Sequence, residues 1–207
     1  MSLIDFAILS FGSLFVIVDP ITLVPTFLAI TQQNKTEDRI RMAAAASAIT
    51  FFILTGFSLS GQFIFKAFGI TLPAFQIAGG IILMKIALDM LQARPTAVKE
   101  TPEENAEGAG KEDIAITPLA IPMLAGPGAI TAVILLASKA ITFQHQLVLS
   151  ANIFLVSLLS FLILRSFALR SIFSVIALKV FTRLMGLLLS VIAVQFILNG
   201  IESIQKF

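Results

Sequence analysis

Asp19, Pro20, Thr22 and Pro25 stand together in FVIVDPITLVPTF, residues 15–27, inside a long apolar segment. A carboxylate and two prolines are costly in a membrane-buried helix, because proline lacks the N–H that a helix interior needs and clashes one turn back. The pair predicts a helix opened near its middle, facing protein or a watery cavity where freed backbone groups find partners. A second set, Ala125, Gly126, Pro127, Gly128 and Thr131, lies in TPLAIPMLAGPGAIT, residues 117–131. At such breaks, helix N-termini offer N–H groups to a carboxylate, and freed carbonyls suit an ammonium or a cation. Two breaks brought together would match a small zwitterionic solute.

Each of these residues also has a structural reading. Asp19 either meets a ligand or caps a helix that restarts at Pro20, since Asp before Pro is a common start pair. Gly126 and Gly128 either admit a ligand to the backbone or let helices pack closely, and packing is the first reading for Gly79, Gly80 and Gly186. Lys85 and Asp89 stand four residues apart, spaced for an intrahelical ion pair or, with Asp19, for coupling to a proton or sodium ion. Gln195 and Asn199 share a face suited to interhelical hydrogen bonds.

The composition fixes the setting. With 57% apolar and 13% charged residues among 207, and a mean hydropathy of +1.00, the chain reads as a polytopic membrane protein. A net charge of +2 gives no case for a nucleic-acid partner, and the absence of cysteine removes disulfides and thiolate chemistry. The N-terminus has Asp5 where a signal peptide carries basic residues, so it reads as an uncleaved first span. The single histidine, His145, leaves no histidine metal cluster. GFSLSG at 56–61 is not G-x-S-x-G, and GAGKE at 108–112 lacks the Ser or Thr of a phosphate-binding loop. The expectation is therefore no enzyme, no cofactor and no bound metal.

Six segments are long enough to span a bilayer, about 20 apolar residues each: approximately 3–31, 43–65, 72–92, 114–138, 146–164 and 183–201. Residues 93–113, rich in Pro, Gly and Glu, read as a cytoplasmic linker. They divide one transmembrane domain, 1–207, into repeat 1 at about 1–92 and repeat 2 at about 114–207. Pro20 and Pro25 recur 102 residues later as Pro122 and Pro127, and Phe75, Gly80, Ile86 and Ala87 recur 106 residues later as Phe181, Gly186, Ile192 and Ala193. Three spans per half make the repeats inverted. The fold expected is all-α, with six transmembrane helices and breaks in helices 1 and 4. Lys35, Arg39, Arg41, Arg94, Lys99, Lys111, Arg165, Arg170, Lys179 and Arg183 fall on one side, against Lys66, Lys139 and Lys206 on the other. That asymmetry places the linker in the cytoplasm and both termini outside. The stretch 165–183 reads either as a basic surface helix or as a loop with helix ends.

The motifs resemble the MarC family of six-span membrane proteins. Asp19, Pro20 and Pro25 match its D-P-x-x-x-x-P pattern, and Ala120, Ile121, Pro122, Ala125, Gly126 and Pro127 match its A-I-P-x-x-A-G-P pattern. Gly79 with Gly80, and Arg183, Met185 and Gly186, are similar to further family signatures. The resemblance implies a secondary transporter of small neutral amino acids, glycine or alanine, in the cytoplasmic membrane. Two repeats would then rock around a central site. The alternatives are a passive small-solute channel and a non-transporting accessory protein, and oligomeric state is left open. Lys85 stands where the family pattern is apolar, so the resemblance gives it no role in the site.

Overall fold

The computed structural model describes residues 2–92, 119–120, 123–169 and 175–205. The 93–113 linker and Pro122 lie outside the described residues. Among these residues there are seven α-helices and no strand. Helix α1 (Leu3–Val18) begins with a reciprocal cap, the Ser2 hydroxyl accepting from the Asp5 N–H at 3.1 Å while the Ser2 N–H donates to Asp5 Oδ2 at 3.3 Å. It stops at Asp19, and the chain turns before resuming as α2 (Val24–Ile30).

Helix α3 (Thr36–Phe68) starts inside the polar stretch after the first segment, seven residues before the apolar pattern predicts. Glu37 and Asp38 in its first turn favour this, because the positive helix end stabilises carboxylates. Gly69, left-handed at φ 63°, closes α3. Thr71 then caps α4 (Leu72–Leu91) through a contact from the Ala74 N–H at 3.4 Å. The chain continues as α5 (Pro127–Lys139), α6 (Phe143–Leu169) and α7 (Val175–Gln205). Both ends of the basic 165–183 stretch thus belong to long helices, and a separate surface helix over that whole stretch is excluded. Among the described residues, four stretches are long and apolar enough to cross a membrane: Thr36–Gly61, Leu72–Leu91, Phe143–Leu169 and Val180–Ile204. Helices α1 and α5 are shorter apolar helices.

Helix α5 lies at the centre. Gly128, Ala129 and every residue from Thr131 to Ala137 are buried, the pattern of a helix apolar all round. It packs on α1, α3 and α4, while α6 packs on α3, α1 and α2. Polar ties cross these contacts: Asn152 Nδ2 donates to the Ala7 carbonyl at 2.9 Å and to Ser10 Oγ at 2.7 Å, and Gln146 Nε2 donates to Ser58 Oγ at 3.1 Å. These helices share one hydrophobic core.

The most extensive helix contact is between α4 and α7, which form a second core around Leu83, Ala87, Met90, Leu189 and Ala193. Their backbones meet at three glycines, Gly80, Gly186 and Gly200. A Cβ on Gly80 would lie 2.8 Å from the Ala193 carbonyl oxygen, and one on Gly186 would lie 3.1 Å from that of Ala87. Gly80→Ala and Gly186→Ala should each cost about 1–3 kcal/mol, the usual penalty of overpacking. Thermal unfolding in detergent checks this, with Gly12→Ala and Gly56→Ala as neutral controls because nothing lies within 4 Å of a Cβ there. Equal shifts in all four variants would contradict the close contact.

Candidate functional site

The first break is built by Pro20 acting backwards. A residue before proline is driven out of the right-handed helical region, and Asp19 takes the left-handed conformation, φ 46° and ψ 62°. It is the one non-glycine residue with positive φ among the described residues. Its N–H still donates to the Phe15 carbonyl at 3.0 Å, so Asp19 closes α1. This corrects the expectation that Asp19 caps a helix restarting at Pro20: α2 begins four residues later, with Leu23 at its start and no side-chain cap. Pro25 falls in the first turn of α2, where a missing N–H costs nothing, and it is exposed.

Asp19 is buried, 8% exposed. The Thr22 hydroxyl donates to Asp19 Oδ2 and also lies 3.3 Å from the Asp19 carbonyl oxygen. A carboxylate at a helix C-terminus sits at the wrong end of that dipole. The turn and the start of α2 provide a partial offset, and a cation there would be favoured. Pro20 is buried and Thr22 half-buried.

The second break ends at Gly126, whose extended backbone (φ −70°, ψ 171°) precedes α5 without any side-chain cap. The Gly126 carbonyl accepts from the Ile130 N–H at 3.0 Å. The N–H groups of Gly128 and Ala129 lie in the uncapped first turn, at the positive end of a helix in the middle of the molecule. Thr131 is buried, and its hydroxyl donates back to the Pro127 carbonyl at 2.8 Å. Ala125 is buried, whereas Pro127 is exposed at the start of an otherwise buried helix, so accessible surface reaches this break.

Ile17 and Gly128 join the two breaks. A Cβ on Gly128 would stand 3.6 Å from Ile17, two residues before Asp19, and 2.6 Å from Leu83. Gly128 is therefore a packing glycine. Gly79 packs directly on the Thr131 methyl. The last turn of α1, which leads into Asp19, is thus brought near Gly128, and Pro25 is exposed. On α4, Ile86, which lies between Lys85 and Asp89, would also stand 3.6 Å from a Cβ on Gly128. Lys85 lies on the exposed face of α4; Asp89 is half-buried, and its buried Oδ2 has no hydrogen-bond partner. No ion pair joins them. Gln195 Nε2 donates to Asn199 Oδ1 at 2.8 Å within α7, in place of the interhelical bond expected.

Three polar residues escaped the sequence reading. Arg39 caps the C-terminus of α2, donating from Nε to the Thr31 carbonyl and from Nη2 to that of Gln32, each at 3.0 Å. Asn152 ties α6 to α1. Gln76 is buried in α4, and its Oε1 has no partner. Asn152 and Gln76 are lone polar residues in apolar runs, whereas Arg39 stands in a polar stretch and was read only for its charge. Among the described residues, no group of three His, Cys, Asp or Glu side chains is placed to hold a metal ion.

A family model described as MarC family integral membrane protein matches residues 4–205. The chain is similar to the UPF0056 membrane protein MJ0972 of Methanocaldococcus jannaschii, 40% identical over 97% of this chain and 89% of that relative. It is also similar to a UPF0056 membrane protein of Aquifex aeolicus, 37% identical over 95% and 92%. A third relative, the UPF0056 membrane protein YvbG of Bacillus subtilis, is 37% identical over 96% and 95%. No solved structure matches.

The turn geometry predicts a graded response at position 19. Asp19→Asn should leave stability nearly unchanged, since Asn tolerates the left-handed region and its amide oxygen can accept from Thr22. Asp19→Val should lose about 1–2 kcal/mol from forcing a β-branched residue into that region. Thermal unfolding in detergent reads the difference, and equal unfolding temperatures would contradict the left-handed turn.

Proposed function

Because this chain belongs to the MarC family of integral membrane proteins, and its two helix breaks adjoin, we propose that it is a secondary transporter of small neutral amino acids. The carrying observation is the Ile17–Gly128 contact. It brings the last turn of α1, which ends at Asp19, towards the first turn of α5 with its uncapped N–H groups, and this supports the reading. The substrate carboxylate meets the N–H groups of Gly128 and Ala129, and its ammonium meets Asp19 and the last carbonyls of α1. Thr22 holds the Asp19 carboxylate in place. Small side chains at Ala125 and Gly126 leave room for glycine or alanine and little more.

In this reading the protein has six spans: α1 with α2, α3, α4, the 119–139 segment with α5, α6, and α7. They form two inverted repeats in one domain, with both termini outside and the linker cytoplasmic. The packing supports such a two-fold relation. Gly80 meets Ala193 and Gly186 meets Ala87, a pair of contacts that exchange under the 106-residue correspondence. Contacts also come in matched sets, α1 with α6 and α3 with α5, then α4 with α5 and α1 with α7. Pro25 and Pro127, equivalent in sequence, both lie in the first turn of the helix that follows a break.

The cores divide differently from the repeats. Helices α4 and α7, one from each repeat, hold one core, and α1, α2, α3, α5 and α6 hold the other. The site lies on the seam between them, against Leu83 and Gly79. Alternating access is then a movement of the α4–α7 pair along that seam. A proton or sodium ion at Asp19 is the natural coupling partner, and Lys85 and Asp89 are peripheral to it.

Proteoliposomes should take up labelled glycine or alanine saturably and show counterflow, which a simple pore does not. Asp19→Asn should lower the flux by at least about tenfold, the worth of one charged hydrogen bond, and Asp89→Asn should change it far less. Absence of saturable, competable flux in either direction would overturn the proposal. Flux without counterflow would indicate a channel.

A further inference from the structure

Gln76 is 6% exposed, and its Oε1 is buried without a hydrogen-bond donor. A carboxamide oxygen in apolar surroundings with no partner is destabilising, so a role only in packing would be served better by Met or Leu. Its position is set by three contacts. A Cβ on Gly200 of α7 would lie 3.3 Å from the Gln76 Cβ. One turn further along α4, Gly79 packs on Thr131 of α5, and Leu83 packs on Gly128. The antiparallel register of α4 on α5 therefore puts Gln76 level with Ile134 and Leu135. These residues lie within α5, their N–H groups engaged in the helix. Thr131, the nearest hydroxyl on that face, already donates to Pro127.

Gln76 thus stands about one helical turn, roughly 5 Å, from the Thr131 level of the site, towards the end that carries the Gly69–Thr71 turn. That end is the outer side in the transport reading, on which the following assignment rests. We propose that Gln76 is the outward specificity residue. Its Oε1 accepts a hydrogen bond from the ammonium of a small zwitterion on its way to Asp19 and so favours amine-bearing solutes over short carboxylates. An acceptor that carries no charge suits this step, since it attracts the ammonium without trapping it. Repulsion of an anionic solute follows from the same dipole.

Gln76→Met, close in volume and without an acceptor, separates the roles. Thermal unfolding in detergent should show an unfolding temperature equal to or above that of the unaltered protein. In proteoliposomes, the half-saturation concentration for external labelled glycine should rise by about tenfold, with a smaller change in maximal rate. Acetate should compete with glycine more effectively than it does in the unaltered protein. Gln76→Asn, which keeps the carboxamide, should lie between the two. A lower unfolding temperature or a misfolded Gln76→Met overturns the assignment, because it gives the carboxamide a structural role. Unchanged glycine kinetics overturn the assignment alone, and no glycine flux in the unaltered protein overturns the transport reading with it.

Discussion

An unpaired peptide group in an apolar medium is the constraint behind the whole arrangement. Helices α1 and α5 each adjoin a stretch where the regular hydrogen-bond ladder is interrupted, and neither interruption could be left against lipid. The response is enclosure. Helix α5 is surrounded by α1, α3 and α4, so its first turn lies inside the protein, where a polar partner can reach it. Asp19 retains a bond to Phe15 even in its left-handed turn, and Arg39 covers the last carbonyls of α2. The first turn of α5 has no side-chain cap.

Close backbone approach makes that enclosure possible. Lipid tails are as apolar as leucine, so helices in a membrane gain from contact area and from the absence of bulk. Gly80 and Gly186 bring α4 and α7 within reach of each other's carbonyls, and Gly128 lets Leu83 lie against the break itself. Glycine costs helix propensity, about 1 kcal/mol against alanine in water, and close contact along the pair offsets it. The same logic explains why Gly128, in the middle of a proposed site, is filled by a neighbour's side chain. Pro127, the residue before Gly128, is exposed.

The breaks were legible because proline has few positions it can tolerate in a helix. The spacing of Pro20 and Pro25, repeated at Pro122 and Pro127, named both places. The roles within the break were less legible. Aspartate before proline is compatible with opening a helix or closing one, and only the distance from Pro20 to the next helical residue decides. Pro25 looked like a component of the opening and instead serves the first turn of α2. Boundaries set by hydropathy failed where a polar stretch still favours helix, as at Thr36. Gln76 was hidden for the opposite reason, since one carboxamide among apolar residues has no pattern of its own until its neighbours are known.

The sequence repeat suggests that the halves move against each other, yet the densest packing joins the halves. Separating α4 from α7 would break both of the backbone contacts at Gly80 and Gly186 and dissolve the second core, with little in the pattern of small residues to replace them. The α4–α5 face is different. It includes Gly79 on Thr131 and both Leu83 and Ile86 on Gly128, side chains against glycines, and among the described residues no side-chain hydrogen bond ties the two helices. In the proposed transport cycle, sliding there would cost van der Waals contact and would alter the surface at Pro127. In that cycle, the division between moving bodies would therefore follow the weaker seam rather than the duplication.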